Sequence, residues 1–309
     1  MDKRGLLDLC IARIPNISSL EKIRLCDSID SEAALMEKSK DEIERIINRP
    51  LKTFWDVDII RSLAERDAYM AQLRGINWVS WVSPAYPPQL REIYDPPALL
   101  FFRGRLPNPE LPLAAVVGTR QPSPQAAAQA FEVAKDLGRC GISVVSGLAL
   151  GTDAMAHRGN IEGGAATFAV LGSGVDEVYP SSNRNLAKRI IENGGALLSE
   201  YPPGMGPRKW NFPARNRIIS GLSRAVLIVE APRSSGALIT AGFAAEQGRE
   251  VFVASVGAAD NPPAMYDRSG SAKLAVDGAA VISSAMDILK EWNIETGHRL
   301  DRHLTGVDS

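Results

Sequence analysis

The chain has 309 residues, 45% of them apolar and 23% charged, with a formal net charge of −1. This is ordinary globular composition, enough for one large α/β domain and a small appendage. It excludes a polycation that attracts nucleic acid over its whole surface, and no stretch approaches the roughly 18–20 consecutive apolar residues of a membrane helix.

From the N-terminus, MDKRGLLDLCIARIPN carries a short apolar patch that Asp8 interrupts, with no small-residue cleavage site after it. That pattern argues against a signal peptide. Leu6, Leu7, Leu9, Cys10 and Ile14 recur at helical spacing, and helical apolar patterns continue through KIRLCDSI, ALMEKSKDEIERII and VDIIRSLAERDAYMAQL. Residues 1–72 therefore read as a small helical domain. The pattern changes at NWVSWVSP and ALLFFRG, two short β-rich runs joined by a Pro-rich link. From Leu113 onward apolar strands (LAAVVG, ISVVSG, ATFAVLG, GALLSE, RAVLIVEA, EVFVAS and a weaker AAVIS) alternate with helical segments. Nearly continuous apolar strands between helices predict a doubly wound α/β domain whose mainly parallel sheet is covered on both faces. Its boundaries are 73–292, with a polar tail over 293–309. Cys10, Cys26 and Cys140 lie far apart, without a CxxC pair or a histidine at ligand spacing. They read as small buried apolar groups in a reducing, cytoplasmic compartment, and no metal or cofactor is expected.

In such a sheet a ligand sits at the carboxyl ends of the strands. Those ends carry Gly118-Thr119-Arg120, Ser146-Gly147-Leu148, Gly172-Ser173-Gly174 and Ser199-Glu200. Glycine admits close backbone approach and helix starts offer free N–H groups, so together these ends predict an anion-binding rim. For any one of them alone, a tight strand-to-helix turn explains the glycine as well. Neither GxGxxG nor a Walker loop is present, which excludes the usual dinucleotide site and ATP hydrolysis. The second feature is RKWNFPARNRIISGLSR. Between Glu200 and Arg233 six basic residues face two acidic ones, with Trp210 and Phe212 among them. Cations interleaved with rings suit single-stranded nucleic acid, whose bases stack while its phosphates are neutralised. Phe212 is expected to be the more exposed ring, with Trp210 packed inward. Arg215 and Arg217 lie about 200° apart around a helix, so both cannot face one phosphate. One of them is expected to pair with Glu200 or Asp153. Asp153 and His157 stand one turn apart, but no nucleophile accompanies them, and core hydrogen bonding is the expected role. Ser235 and Gly236 open a helix, where they serve as a further anion contact or a plain cap.

The motifs GTR, SGLALGTDAMAH, VLGSGVDEVYP, LLSEYPPG, FPARNRIISGLS, VLIVEA and SGALITA occur in that order. This series resembles the DNA-processing protein A (DprA/Smf) family. The resemblance implies an extended Rossmann domain that binds single-stranded DNA, dimerises, and loads the RecA recombinase during natural transformation, without catalysis or cofactor. By position it nominates Gly118, Arg120, Ser146, Gly147, Gly151, Phe212, Arg215 and Arg217 for DNA contact. The basic cluster and rim add Thr119, Lys209, Asn216, Ser235 and Gly236. Departures are visible: Leu150 stands where the family commonly has a basic residue, Thr152 replaces a usual Ile, and Val256-Gly257 replaces a Pro-Gly turn. PNISSLEK lacks the paired glycines of a phosphate-cradling hairpin, and the chain is expected to carry no C-terminal winged helix. Two other readings compete with this one. A nucleotide phosphoribohydrolase needs carboxylates where Leu238 and Ile239 stand, and a divergent interaction protein would have lost strong DNA affinity.

Overall fold

A computed structural model describes residues 4–259 and 265–294. The expected polar tail from 295 on, with His298 and His303, lies outside the described residues, as does part of the altered stretch after Val256. Five helices come first: α1 (Gly5–Arg13), α2 (Ser19–Ser28), α3 (Glu32–Met36), α4 (Lys40–Ile47) and α5 (Val57–Arg74). Their ends follow local chemistry. Ser18 and Ser39 form capping boxes with Glu21 and Glu42, Asp56 caps α5, and Gly75 ends that helix at φ +60°.

Nine strands follow: β1 (Asn77–Ser80), β2 (Leu99–Gly104), β3 (Leu113–Val117), β4 (Ser143–Ser146), β5 (Thr167–Val170), β6 (Ala196–Ser199), β7 (Ala225–Ile228), β8 (Glu250–Ala254) and β9 (Ala280–Ile282). Between them run α6 (Pro124–Arg139), α7 (Thr152–Glu162), α8 (Arg184–Glu192), α9 (Asn211–Leu222), α10 (Gly236–Glu246), α11 (Ser255–Ala258) and α12 (Ser269–Val276), and α13 (Ala285–Glu291) follows β9. The nine strands lie in one sheet of order β1-β2-β6-β5-β4-β3-β7-β8-β9. The seven strands from β3 on are mutually parallel, while β2 runs antiparallel to β6 and β1 antiparallel to β2. The α/β class, the mainly parallel sheet and the helical N-terminal region are as the sequence indicates.

Strand side chains alternate between the two faces. Leu113, Ala115 and Val117 of β3 join one apolar cluster with Ile218, Leu222 and Ala241 from α9 and α10. Ala114 and Val116 join another with Ala130, Val133 and Leu289 from α6 and α13. This two-sided burial is why the strands read as unbroken apolar runs. A third cluster merges Leu7, Leu25, Ile43 and Ile60 of the N-terminal helices with Leu99, Phe101, Ala169 and Leu197 of the sheet. Winding starts at the central β3, proceeds outward to β6, then crosses to β7. The carboxyl ends of all seven parallel strands consequently share one edge, which holds the residues singled out above. No helix among the described residues is long and apolar enough to cross a membrane.

Candidate nucleic-acid interface

The switch of winding direction falls between β3 and β7, the usual ligand crevice of an open α/β sheet. Here that crevice is filled. The Thr119 amide donates to the Glu230 carbonyl at 2.7 Å, and the buried Glu230 carboxylate accepts the Ser123 amide at 2.7 Å and pairs with Arg268 at 3.0 Å. The open depression sits one strand over, beyond β3, β4 and β5. It is a shallow cleft of about 50 Å3 lined by Arg120, Gly147, Ala149, Leu150, Tyr179, Pro180, Phe212 and Arg215, two cations and no carboxylate.

Tight loops fix its rim. A Cβ on Gly118 would lie 2.6 Å from Thr152 Oγ1, so only glycine admits the start of α7 beside β3. Thr119 is half-buried, and its carbonyl accepts both the amide and the hydroxyl of Thr152, at 3.2 and 3.1 Å. Gly151 takes φ +72°, and a Cβ there would meet the Arg120 backbone at 2.6 Å. With its backbone held in this way, Arg120 extends an exposed side chain whose guanidinium lies 5.9 Å from the centre of the Phe212 ring.

Beneath the rim lies a buried polar floor. The Ser146 hydroxyl donates to Val116 O at 2.7 Å, so it ties β4 to β3. Gly147 and Ala149 donate their amides to Asp153 Oδ2 at 3.1 and 3.3 Å, which shows what Asp153 does: it anchors the loop before α7, whose N-cap is Gly151. Arg215 donates to the carbonyls of Gly147, at 3.0 Å, and Val170. Burial pulls its pKa down to about 10, partly opposed by Asp153, and burial pushes the Asp153 carboxyl up against the attraction of Arg215. His157 contacts Thr167 Oγ1 at 2.8 Å through Nδ1. Because that hydroxyl donates to Val144 O at 2.7 Å, Nδ1 carries the proton in this pair. Burial, with Arg215 adding to it, lowers the His157 pKa to about 3, so the ring is a neutral core group.

Two residues further along α9 the environment is different. Arg217 donates from Nη1 and Nη2 to the two Glu200 carboxylate oxygens, both at 2.7 Å, and lies 2.9 Å from the Asp95 carboxylate. Both arginines of the RNR triplet are thus engaged within the fold, Arg215 on the Gly147 and Val170 carbonyls beside Asp153 and Arg217 on Glu200. Asn216 accepts from Arg215 at 3.2 Å and donates to Gly236 O at 3.0 Å, joining α9 to α10. Ser235 caps α10 by accepting the Ala237 amide, and neither it nor the exposed Gly236 lines the cleft.

The side chains facing solvent around the cleft include Arg120, Arg208, Lys209 and three rings. Phe212 is half-buried, whereas Trp210 is 69% exposed, the reverse of the order expected from sequence. An aromatic at the N-cap of α9 stands ahead of the first buried turn, so nothing covers it. Tyr179 went unnoticed in the sequence. It is 46% exposed, and its ring lies 5.6 Å from that of Phe212 at 46°. Its one sequence signal was its place at the end of the VLGSGVDEVYP motif. Leu150 is also exposed beside these rings.

Comparison with known proteins places this geometry. Protein Smf of Synechocystis is 44% identical over 210 residues, covering 67% of this chain and 51% of that protein, so the chain spans about half its length. A solved DNA processing protein A from Streptococcus pneumoniae superposes with a TM-score of 0.68 at 34% identity, covering 94% of each chain. A second, from Helicobacter pylori and described for its single-stranded DNA binding mode, gives 0.60 at 27% identity over 71% of this chain and 95% of that one. The family model for DNA recombination-mediator protein A matches residues 77–293, which hold all nine strands of the sheet, and the chain belongs to that family.

Proposed function

We propose that this protein binds single-stranded DNA along the carboxyl edge of its sheet and presents it to the RecA recombinase, in DNA processing during transformation and recombination. The observation that carries the reading is the acid-free cleft in which Arg120 faces the Phe212 ring and Tyr179 adjoins it, with Lys209 exposed nearby. A ring offers its face to an unpaired base at roughly 1–3 kcal/mol per stacked base, and a duplex hides those faces. The cleft, at about 50 Å3, is too small to engulf a base, and its buried polar groups already satisfy one another, so stacking there is tolerant of sequence. The H. pylori relative, described as a single-stranded DNA binder, supports the same assignment.

Within this reading, Arg120, Lys209, Phe212 and Tyr179 touch the strand. The backbones of Gly118, Thr119, Gly147 and Gly151 set the rim, and Ser146, Arg215, Asn216, Arg217, Ser235 and Gly236 hold it from below or beside. Residues 1–72 act as a stabilising, protein-contacting module, the protein works as a cytoplasmic homodimer, and it performs no turnover. Fluorescence anisotropy with a labelled oligothymidylate tests the assignment. Wild type should bind at low salt and prefer the single strand to its duplex, and Phe212→Ala should weaken binding about tenfold. No binding by folded wild-type protein would overturn it.

A further inference from the structure

Two depressions flank the start of α9, and the helix divides them. Phe212 and Arg215 line the cleft described above, whereas Ala214 and Arg217 line a groove of about 760 Å3 that reaches the turn after α1. Positions two apart lie about 200° around a helix, which puts the depressions on opposite flanks. Just before the helix, Arg208 lines the groove, and its guanidinium lies 5.8 Å from the centre of the Trp210 ring. Trp210 therefore stands on the ridge between them, the one exposed tryptophan of five. Left in water, an indole forgoes the roughly 1.5–3 kcal/mol that burying a large apolar side chain contributes, so the fold gains little from it there. With a cation over its face it has the character of a stacking platform for an unpaired base. The groove beyond is no electrostatic barrier, because Asp95 and Glu200 are held by Arg217 and Asp67 by Arg13.

Resting on the single-strand reading above, we propose that the bound strand continues past the cleft and crosses the start of α9. One base stacks on Phe212 and Tyr179. A later base stacks on Trp210 on the ridge, with phosphates held by Lys209 and, at the edge of the groove, by Arg208. The site is longer than the cleft, and the second station serves only strands long enough to reach it.

Tryptophan fluorescence and anisotropy are read on the same full-length protein, with oligothymidylates of about 4 and about 16 nucleotides bracketing the reach of such a site. The longer strand should quench wild-type fluorescence, and Trp210→Phe should bind it within about threefold of wild type without the quench. Trp210→Ala, melting with wild type, should weaken the longer strand about tenfold and the shorter one less than about twofold. Binding by anisotropy without any fluorescence change, or equal weakening of both strands, would overturn the second station and leave the cleft reading standing. Absence of binding to either strand would overturn both.

Discussion

Arg217→Ala should act on stability and barely on DNA affinity, although the family resemblance nominates Arg217 for DNA contact. The side chain is 8% exposed and reaches both oxygens of a Glu200 carboxylate that is itself 19% exposed. It also donates to Asp95 O at 2.8 Å and Ala214 O at 2.9 Å. Removing one partner of a buried pair costs about 3–5 kcal/mol, because the other charge stays desolvated. Glu200 keeps some contact with water, so the lower end applies, and about 3 kcal/mol corresponds to a fall in Tm of roughly 5 °C for a chain of 309 residues. Replacing both partners by apolar residues, Arg217→Met with Glu200→Leu, should recover part of that loss. Lys209→Glu gives the opposite profile. As an exposed substitution it should stay within about 0.5 kcal/mol of wild-type stability, and it should weaken oligonucleotide binding and flatten the salt slope by about 0.7 or more. Thermal melting and anisotropy titrations from low to moderate salt read both quantities on each variant. An Arg217→Ala protein that melts with wild type but loses DNA would refute the assignment of Arg217 to the ion pair.

Other substitutions separate the rim from its supports. Gly151→Ala puts a Cβ against the Arg120 backbone at a φ of +72°. It should cost about 1–3 kcal/mol and weaken binding by displacing the Arg120 loop, measured by urea unfolding and anisotropy. Ser146→Ala removes the strand-tying hydrogen bond and a contact with the buried Asp153, and should cost about 1 kcal/mol with binding intact. His157 is neutral and buried with its pKa lowered from 6.5 to about 3, so the unfolded chain takes up its proton first as the pH falls. Its contribution is complete above about pH 6.5 and is lost on acidification toward pH 3, at up to about 1.4 kcal/mol per pH unit. Urea unfolding at several pH values should show that slope, and His157→Gln should remove it; an unchanged slope would place the acid sensitivity elsewhere.

Much of the fold was legible because the physics is local. The inner parallel strands are buried on both faces and appeared in the sequence as apolar runs, whereas the edge strand β9 exposes Ala280 and Val281 and read more weakly. The direction of β1 and β2 was not legible, since pairing sense is a tertiary property. Helix α12 was missed because SGSAKLAV has little amphipathic contrast, and its start is held from outside: the Ser271 hydroxyl donates to Gly257 O, and Arg268 to Val256 O. At the site, helical geometry put Arg215 and Arg217 on different flanks of α9, and they line different depressions. It could not reveal the partners each finds inside the fold, which depend on Asp153 arriving from α7 and Glu200 from the end of β6. The relative exposure of Trp210 and Phe212 turned on where α9 begins, and Tyr179 comes from another strand end altogether.

In the proposed complex an unpaired strand lies on the rings at the carboxyl edge of the sheet. Photocrosslinking of an iodouridine-substituted oligonucleotide, mapped by peptide mass spectrometry, reads that contact residue by residue. Adducts are expected on Tyr179 and Phe212, lost when Arg120→Glu removes the cation over the Phe212 ring. Efficient adducts confined to the N-terminal helices or to β9, with none on either ring, would contradict that placement.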